Sequence, residues 1–111
     1  VKASPFEIGS ERQAGTGRLT LIGELDLATV PRVEQAVQEL LVADVQRLIV
    51  DLSGLSFIDP SGLGLLIALD KRATEECWAL DLIRPSEQVL TVFQIGGAEE
   101  NLPFIEDRGS A

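Results

Sequence analysis

A chain of 111 residues with 45% hydrophobic side chains has room for one domain with a modest core, and only 5% aromatics make that core aliphatic. The formal net charge is −9, with 18 acidic residues scattered among 9 basic ones. That leaves no basic stripe for nucleic-acid phosphates and excludes direct DNA or RNA binding. Histidine is absent, which removes Ser-His-Asp and Cys-His catalysis and ordinary zinc sites; the single cysteine, Cys77, excludes an internal disulfide framework and fits a reducing cytoplasm. The apolar runs are far short of a membrane span and no signal peptide is visible, so a cytoplasmic chain without membrane insertion, cofactor or metal is expected. The absence of Met, including an initiator, points to a processed or trimmed chain.

Taken in order, Phe6 to Glu11 reads as a first strand, Gly15-Thr16-Gly17 as a turn, and Arg18 to Gly23 as a second strand, an antiparallel opening hairpin. Thr29 stands two residues before Pro31 and starts a helix whose core stripe is Val30, Val33, Val37, Leu40 and Leu41. The run Leu48 to Leu52 reads as a third strand buried on both faces. A turn-rich connection follows, then Phe57-Ile58, then a helix from Asp59-Pro60-Ser61-Gly62 to about Thr74. Glu75-Glu76 close that helix poorly, because acids near a helix C-terminus oppose its dipole. Ala79 to Ile83 makes a fourth strand; Val89, Val92, Phe93 and Ile95 sit on a short third helix ending at Gly96-Gly97; Phe104-Ile105 is a brief last strand; and the tail after Glu106 reads as disordered. Strands alternating with helices after a hairpin give an α/β class: one domain over 1–111, ordered over about 6–106, with a mixed, mainly parallel sheet of four to five strands and three or more helices.

The start of the second helix carries the chemistry. Asp59 caps the first turn, and Pro60 fits the first helical position, where no amide hydrogen is needed. Ser61 then lies in the first turn, where free N–H groups and the positive end of the dipole favour an anion. Unrolled at about 100° per residue, Gly62, Leu65, Leu66, Leu69 and Ala73 face the core with Leu63 and Ile67 extending the arc. Ser61, Gly64, Ala68, Lys71 and Arg72 lie opposite, a small-residue face with a hydroxyl at its edge and room for another backbone to come close.

Phe57-Ile58-Asp59-Pro60-Ser61-Gly62-Leu63-Gly64, preceded by Asp51-Leu52-Ser53-Gly54-Leu55, resembles the signature of the STAS domain family, and within it the bacterial anti-sigma factor antagonists. Gly23-Glu24-Leu25-Asp26 and Leu82-Ile83-Arg84-Pro85-Ser86 fall where that family has similar segments, so the resemblance covers nearly the whole chain. It implies a STAS-like fold and a protein-interaction switch instead of an enzyme, with Ser61 as the phosphorylated residue and no catalytic residues. The implied partners are an anti-sigma factor with serine kinase activity and a PP2C-type phosphatase, and the implied outcome is release of a sigma factor. The resemblance places Asp26 beside Ser61, and together with the small-residue face read from the helical period the expected docking residues are Asp26, Asp59, Ser61, Gly62, Leu63, Gly64 and Ala68. Pro60 departs from the family, which usually has a second Ser or Thr there. The other function the resemblance allows is a constitutive STAS subunit without a phospho-switch in a lipid or anion transport assembly.

Plainer readings stand beside these. A serine in a first turn is common, and Asp59 is a helix cap in any case. Asp51, at the end of the buried third strand, is similar to the phospho-acceptor of a receiver domain, but the only lysines are Lys2 and Lys71 and that constellation is incomplete. Gly62-x-Gly64 lacks the third glycine of a dinucleotide fingerprint, Ile67 standing in its place, and no G-x-x-x-x-G-K-[ST] loop exists.

Overall fold

The structure is a computed structural model that describes residues 6–97 and 99–106. Its elements in chain order are β1 (Phe6–Gln13), β2 (Thr16–Leu25), α1 (Val30–Val42), β3 (Arg47–Ile58), α2 (Pro60–Glu76), β4 (Ala79–Ile83), α3 (Glu87–Ile95), a 3-10 turn (Glu99–Asn101) and β5 (Phe104–Ile105). The strands form one sheet in the order β1-β2-β3-β4-β5. The β1–β2 pair is antiparallel and every later pair is parallel, as the alternation of strands and helices requires. The tail after Glu106 lies outside the described residues.

The opening hairpin is tighter than the glycine spacing suggests. Gln13 pairs with Thr16, so the connection is the two residues Ala14 and Gly15. Both have positive φ, 52° and 83°, the backbone that matches the twist of a two-residue hairpin. The turn expected at Gly15-Thr16-Gly17 is therefore displaced, with Thr16 and Gly17 already inside β2.

Helices α1, α2 and α3 all contribute to one core cluster. Val33, Val37 and Leu40 of α1, Leu65, Leu66 and Leu69 of α2, and Val89 and Phe93 of α3 join Leu19, Leu21, Leu48, Val50, Leu52, Leu80 and Leu82 of the sheet. Phe93 meets Phe104 edge-on, 5.4 Å between ring centroids, a geometry that adds to the burial of both rings. Because alternate residues of a strand face opposite ways, Arg18, Ile49, Asp51 and Asp81 point to the other face of the sheet, where Arg18 pairs with Asp51 and Arg47 with Asp81. The expectation that Leu48 to Leu52 is buried on both faces holds in burial but not in kind: one face is apolar core, and on the other Ile49 is half-buried and Asp51 is buried in its ion pair with Arg18.

The other correction bears on the site. β3 does not stop at Leu52 but runs to Ile58 through Ser53-Gly54-Leu55. Its register against β2 slips twice, between the pairs Thr20–Asp51 and Ile22–Gly54 and again between Gly23–Leu55 and Glu24–Phe57. Each slip places one extra residue on β3, a bulge that bends the strand. The carboxylate of Asp51, a residue only 5% exposed, supports the first bulge. Its Oδ1 accepts from the Ser53 N–H at 2.9 Å and the Ser53 hydroxyl at 2.6 Å, and its Oδ2 from Arg18 at 2.8 Å. The turn-like residues of this stretch are the bulge residues of a continuing strand, and that strand delivers Asp59 to the end of the sheet.

Candidate functional site

Helix α2 starts as its sequence dictates. Asp59 is the N-cap with extended backbone, Pro60 takes the first helical position, and Asp59 Oδ1 accepts the Gly62 N–H at 3.0 Å. The cap residue's own N–H donates to the Leu25 carbonyl at 3.2 Å, so the helix begins against the end of β2. Gly62 makes that approach possible: a Cβ there would stand 2.8 Å from the Leu25 carbonyl oxygen and 2.8 Å from the Leu25 and Ile58 side chains. It is a packing residue, buried in the seam between α2 and β2.

Ser61 is half-exposed at the outer edge of this first turn. Its hydroxyl has no hydrogen bond among the described residues. Gly64 and Ala68, farther along the same side, are exposed, and a Cβ on Gly64 would meet nothing within 4 Å. Ala68 lines a groove of about 260 Å³ between α1 and α2, with Val37, Leu65 and Leu69 at its base and Glu34, Gln38 and Arg72 around it. Arg72 reaches across to Gln38 at 3.0 Å. The core-facing arc holds as read, with Gly62, Leu65, Leu66, Leu69 and Ala73 buried. Leu63 is half-buried against the core and touches the C-terminal end of α3 beside Gly96. Ile67 leaves the arc: it is 47% exposed and lines a shallow pocket with Asp70, Gly96 and Leu102.

The loop between β2 and α1 lies against the start of α2. Its Leu27 N–H donates to Asp59 Oδ2 at 3.3 Å. Asp26 turns inward, its Oδ1 accepting from Ala28 N–H at 3.0 Å and Thr29 N–H at 3.1 Å. The Thr29 hydroxyl donates to the Glu24 carbonyl at 3.0 Å and accepts from the Asp26 N–H at 2.9 Å. Thr29 does occupy the N-cap of α1, yet its side chain makes no cap bond there; it is buried and knits the loop instead. Sequence reading missed this role, for which the spacing Asp26-x-x-Thr29 was the available signal. Asp26 and Ser61 share a neighbourhood through Leu27 and Asp59, and no hydrogen bond links the two side chains among the described residues.

At the far end of α2, Glu76 is tolerated because its carboxylate is engaged. The Trp78 indole N–H donates to it at 3.1 Å and Arg72 at 2.9 Å, and these bonds hold its pKa below the ordinary glutamate value. The described residues contain no group of three or more His, Cys, Asp or Glu able to hold a metal ion. No described helix is long and apolar enough to cross a membrane.

A sequence profile for the family described as "Mlab, STAS domain" matches residues 8–106. The chain belongs to the STAS domain family. Among similar proteins, this STAS domain is 28% identical over 78 residues to an anti-sigma-B factor antagonist of Staphylococcus aureus, covering 70% of this chain and 72% of that protein. It is 28% identical over 90 residues to an anti-sigma-B factor antagonist of Listeria monocytogenes, covering 81% and 79%. In three dimensions it resembles the unphosphorylated form of the anti-sigma factor antagonist SpoIIAA, with 25% identity, a TM-score of 0.75, and coverage of 90% of this chain and 87% of that one. Among the described residues of this STAS domain, a five-stranded mixed sheet with one antiparallel pair and three helices makes the fold the sequence implied.

Proposed function

We propose that this STAS domain is an anti-sigma factor antagonist that binds an anti-sigma factor while Ser61 is unmodified and lets go when Ser61 is phosphorylated. The observation that carries the reading is the half-exposed Ser61 in the first turn of α2, at the edge of the open face formed by Gly64 and Ala68. The relatives named anti-sigma-B factor antagonists support the partner class. In this reading the partner is itself a serine kinase, a PP2C-type phosphatase reverses the modification, and the cycle runs in the cytoplasm. The docking surface consists of the Asp26 loop, Asp59, Ser61, Gly64 and Ala68, with half-buried Leu63 at its margin; Gly62, expected there from the sequence, lies beneath it in the seam with β2.

The physics of the switch is local. A phosphoserine carries about −1.5 to −2 charge at pH 7 and needs donors or water. Helix first turns usually supply several free N–H groups. Here Pro60 has none and the Gly62 N–H is engaged by Asp59, so the Ser61 N–H is the one donor left unshared in that part of the turn. With so few free donors the phosphate would keep most of its charge in water, and burying it against a partner would cost more than any first-turn donor returns.

Ser61→Ala is expected to keep the fold and to bind the anti-sigma factor irrespective of kinase and nucleotide, because a half-exposed hydroxyl at the edge of the helix leaves no enclosed cavity behind. Intact-mass measurement after incubation with the cognate kinase checks it: wild type gains one phosphate and the variant none. Equal incorporation in both would remove Ser61 from the mechanism. Wild type that stays unmodified while copurifying with a membrane transport assembly would replace the switch with a constitutive subunit role.

Ser61→Glu is expected to weaken the complex at least tenfold while the melting temperature of the free domain stays level or rises. An acid in the first turn favours the helix by about 0.3–1 kcal/mol and places charge on the docking face. A lowered melting temperature with normal affinity would make Ser61 a structural residue.

A further inference from the structure

The Asp59 carboxylate is shared between two elements. Oδ1 accepts the Gly62 N–H and belongs to α2, whereas Oδ2 accepts the Leu27 N–H and belongs to the loop between β2 and α1. The bonds made by Asp26 and Thr29 are internal to that loop and to Glu24 at the end of β2. Leu27, 73% exposed at the loop's tip, buries little in the free chain, so the bracing fixes where a large apolar side chain stands without adding to the core.

We propose that Asp59 is a positioning residue that couples Ser61 to this loop: it holds Leu27 where a partner meets it, and a phosphate on Ser61 ends that hold. The inference rests on the phospho-switch reading above. In the transfer, Ser61 Oγ bonds to the γ-phosphorus of a nucleoside triphosphate supplied with the kinase. The bond from that phosphorus to the β–γ bridging oxygen breaks, the hydroxyl proton passes to the kinase's base, and the nucleoside diphosphate leaves. The product is an anion two residues from Asp59 in the same first turn. It competes for the Gly62 N–H and repels the carboxylate that holds it, since like charges at this range disfavour each other. As the carboxylate turns away, the Leu27 N–H loses its acceptor and the loop loses its tie to α2.

Asp59→Asn separates the two tasks. An asparagine oxygen caps a helix about as well as an aspartate oxygen, but its NH2 then faces the Leu27 N–H, donor against donor. The measurement is amide hydrogen exchange by NMR on three full-length chains: wild type, D59N, and a chain with phosphoserine inserted at position 61 during translation. Exchange at Leu27 is expected to be at least tenfold faster in both altered chains, with exchange at Val50 in β3 and the melting temperature unchanged. The unmodified D59N chain should also bind the anti-sigma factor at least tenfold more weakly. A smaller acceleration at Leu27 in either altered chain, or full affinity in D59N, overturns the coupling; if D59N fails to fold, the phosphoserine chain alone decides it. Exchange needs no partner, so a wild type that binds no anti-sigma factor sinks the antagonist reading while the coupling still stands or falls on Leu27.

Discussion

Gly62→Ala is expected to lower the stability of the domain by about 2–3 kcal/mol, the upper part of the range for overpacking a tight site. The added methyl would stand 2.8 Å from the Leu25 carbonyl oxygen, a backbone atom that cannot rotate away, and at the same distance from the Ile58 and Leu25 side chains. Relief requires α2 to move off β2, which breaks the Asp59 N–H bond to Leu25 and shifts Ser61 relative to the Asp26 loop. Binding should therefore fall even at temperatures where the variant remains folded. Gly64→Ala is the matched control, two residues along the same helix with open space where the methyl would go. It should stabilise by about 0.5–1 kcal/mol, because alanine loses less conformational freedom than glycine in a helix. Urea unfolding of the two variants checks the pair, and similar effects in both would mean that the helix does not rest on β2 through Gly62.

Ala68→Arg is expected to abolish most of the affinity for the anti-sigma factor, a loss of at least a hundredfold, with stability within about 0.5 kcal/mol of wild type. Ala68 is exposed and lines the groove between α1 and α2, so the long side chain has solvent to occupy in the free domain. In a complex that uses this face the same space belongs to the partner. The loss should be independent of phosphorylation, which distinguishes it from the effect of modifying Ser61. Denaturant unfolding and a binding titration on one preparation give both numbers. Severe destabilisation would mean that the groove closes in solution. Unchanged affinity would place the contact on the Asp26 loop instead.

Much of the fold was legible because its signals are local. The apolar run from Leu48 to Val50, the Val33-Val37-Leu40 stripe, the Asp59-Pro60 helix start and the Gly96-Gly97 stop each depend on a few adjacent residues, and each marked an element that forms, although β3 runs on past Leu52 to Ile58. The same holds for the face of α2: its 3.6-residue period alone separated Leu65, Leu66 and Leu69 from Ser61, Gly64 and Ala68, and the burial follows that division. Ile67 escaped it because α3 ends near that side of the helix without covering the side chain, and the length of a distant helix is not written in the local period.

Local residue pattern was enough for the order and type of the elements, the apolar stripe of each helix, and the hydroxyl in the first turn of α2. Where backbones touch depended on how distant segments pack. Ser53-Gly54 spells a turn in isolation, and it becomes a bulge because β2 lies alongside and the Asp51 carboxylate, itself held by Arg18 from β2, takes up the Ser53 N–H. Thr29 spells a helix cap, yet its hydroxyl turns back to Glu24 and Asp26. Asp59 spells a cap and is one, but its second oxygen finds the Leu27 N–H, 32 residues away in the chain. The reason is common to all three: a short polar side chain has several bonds it can make locally, and which of them forms depends on the donors that a neighbouring strand or loop brings within about 3 Å.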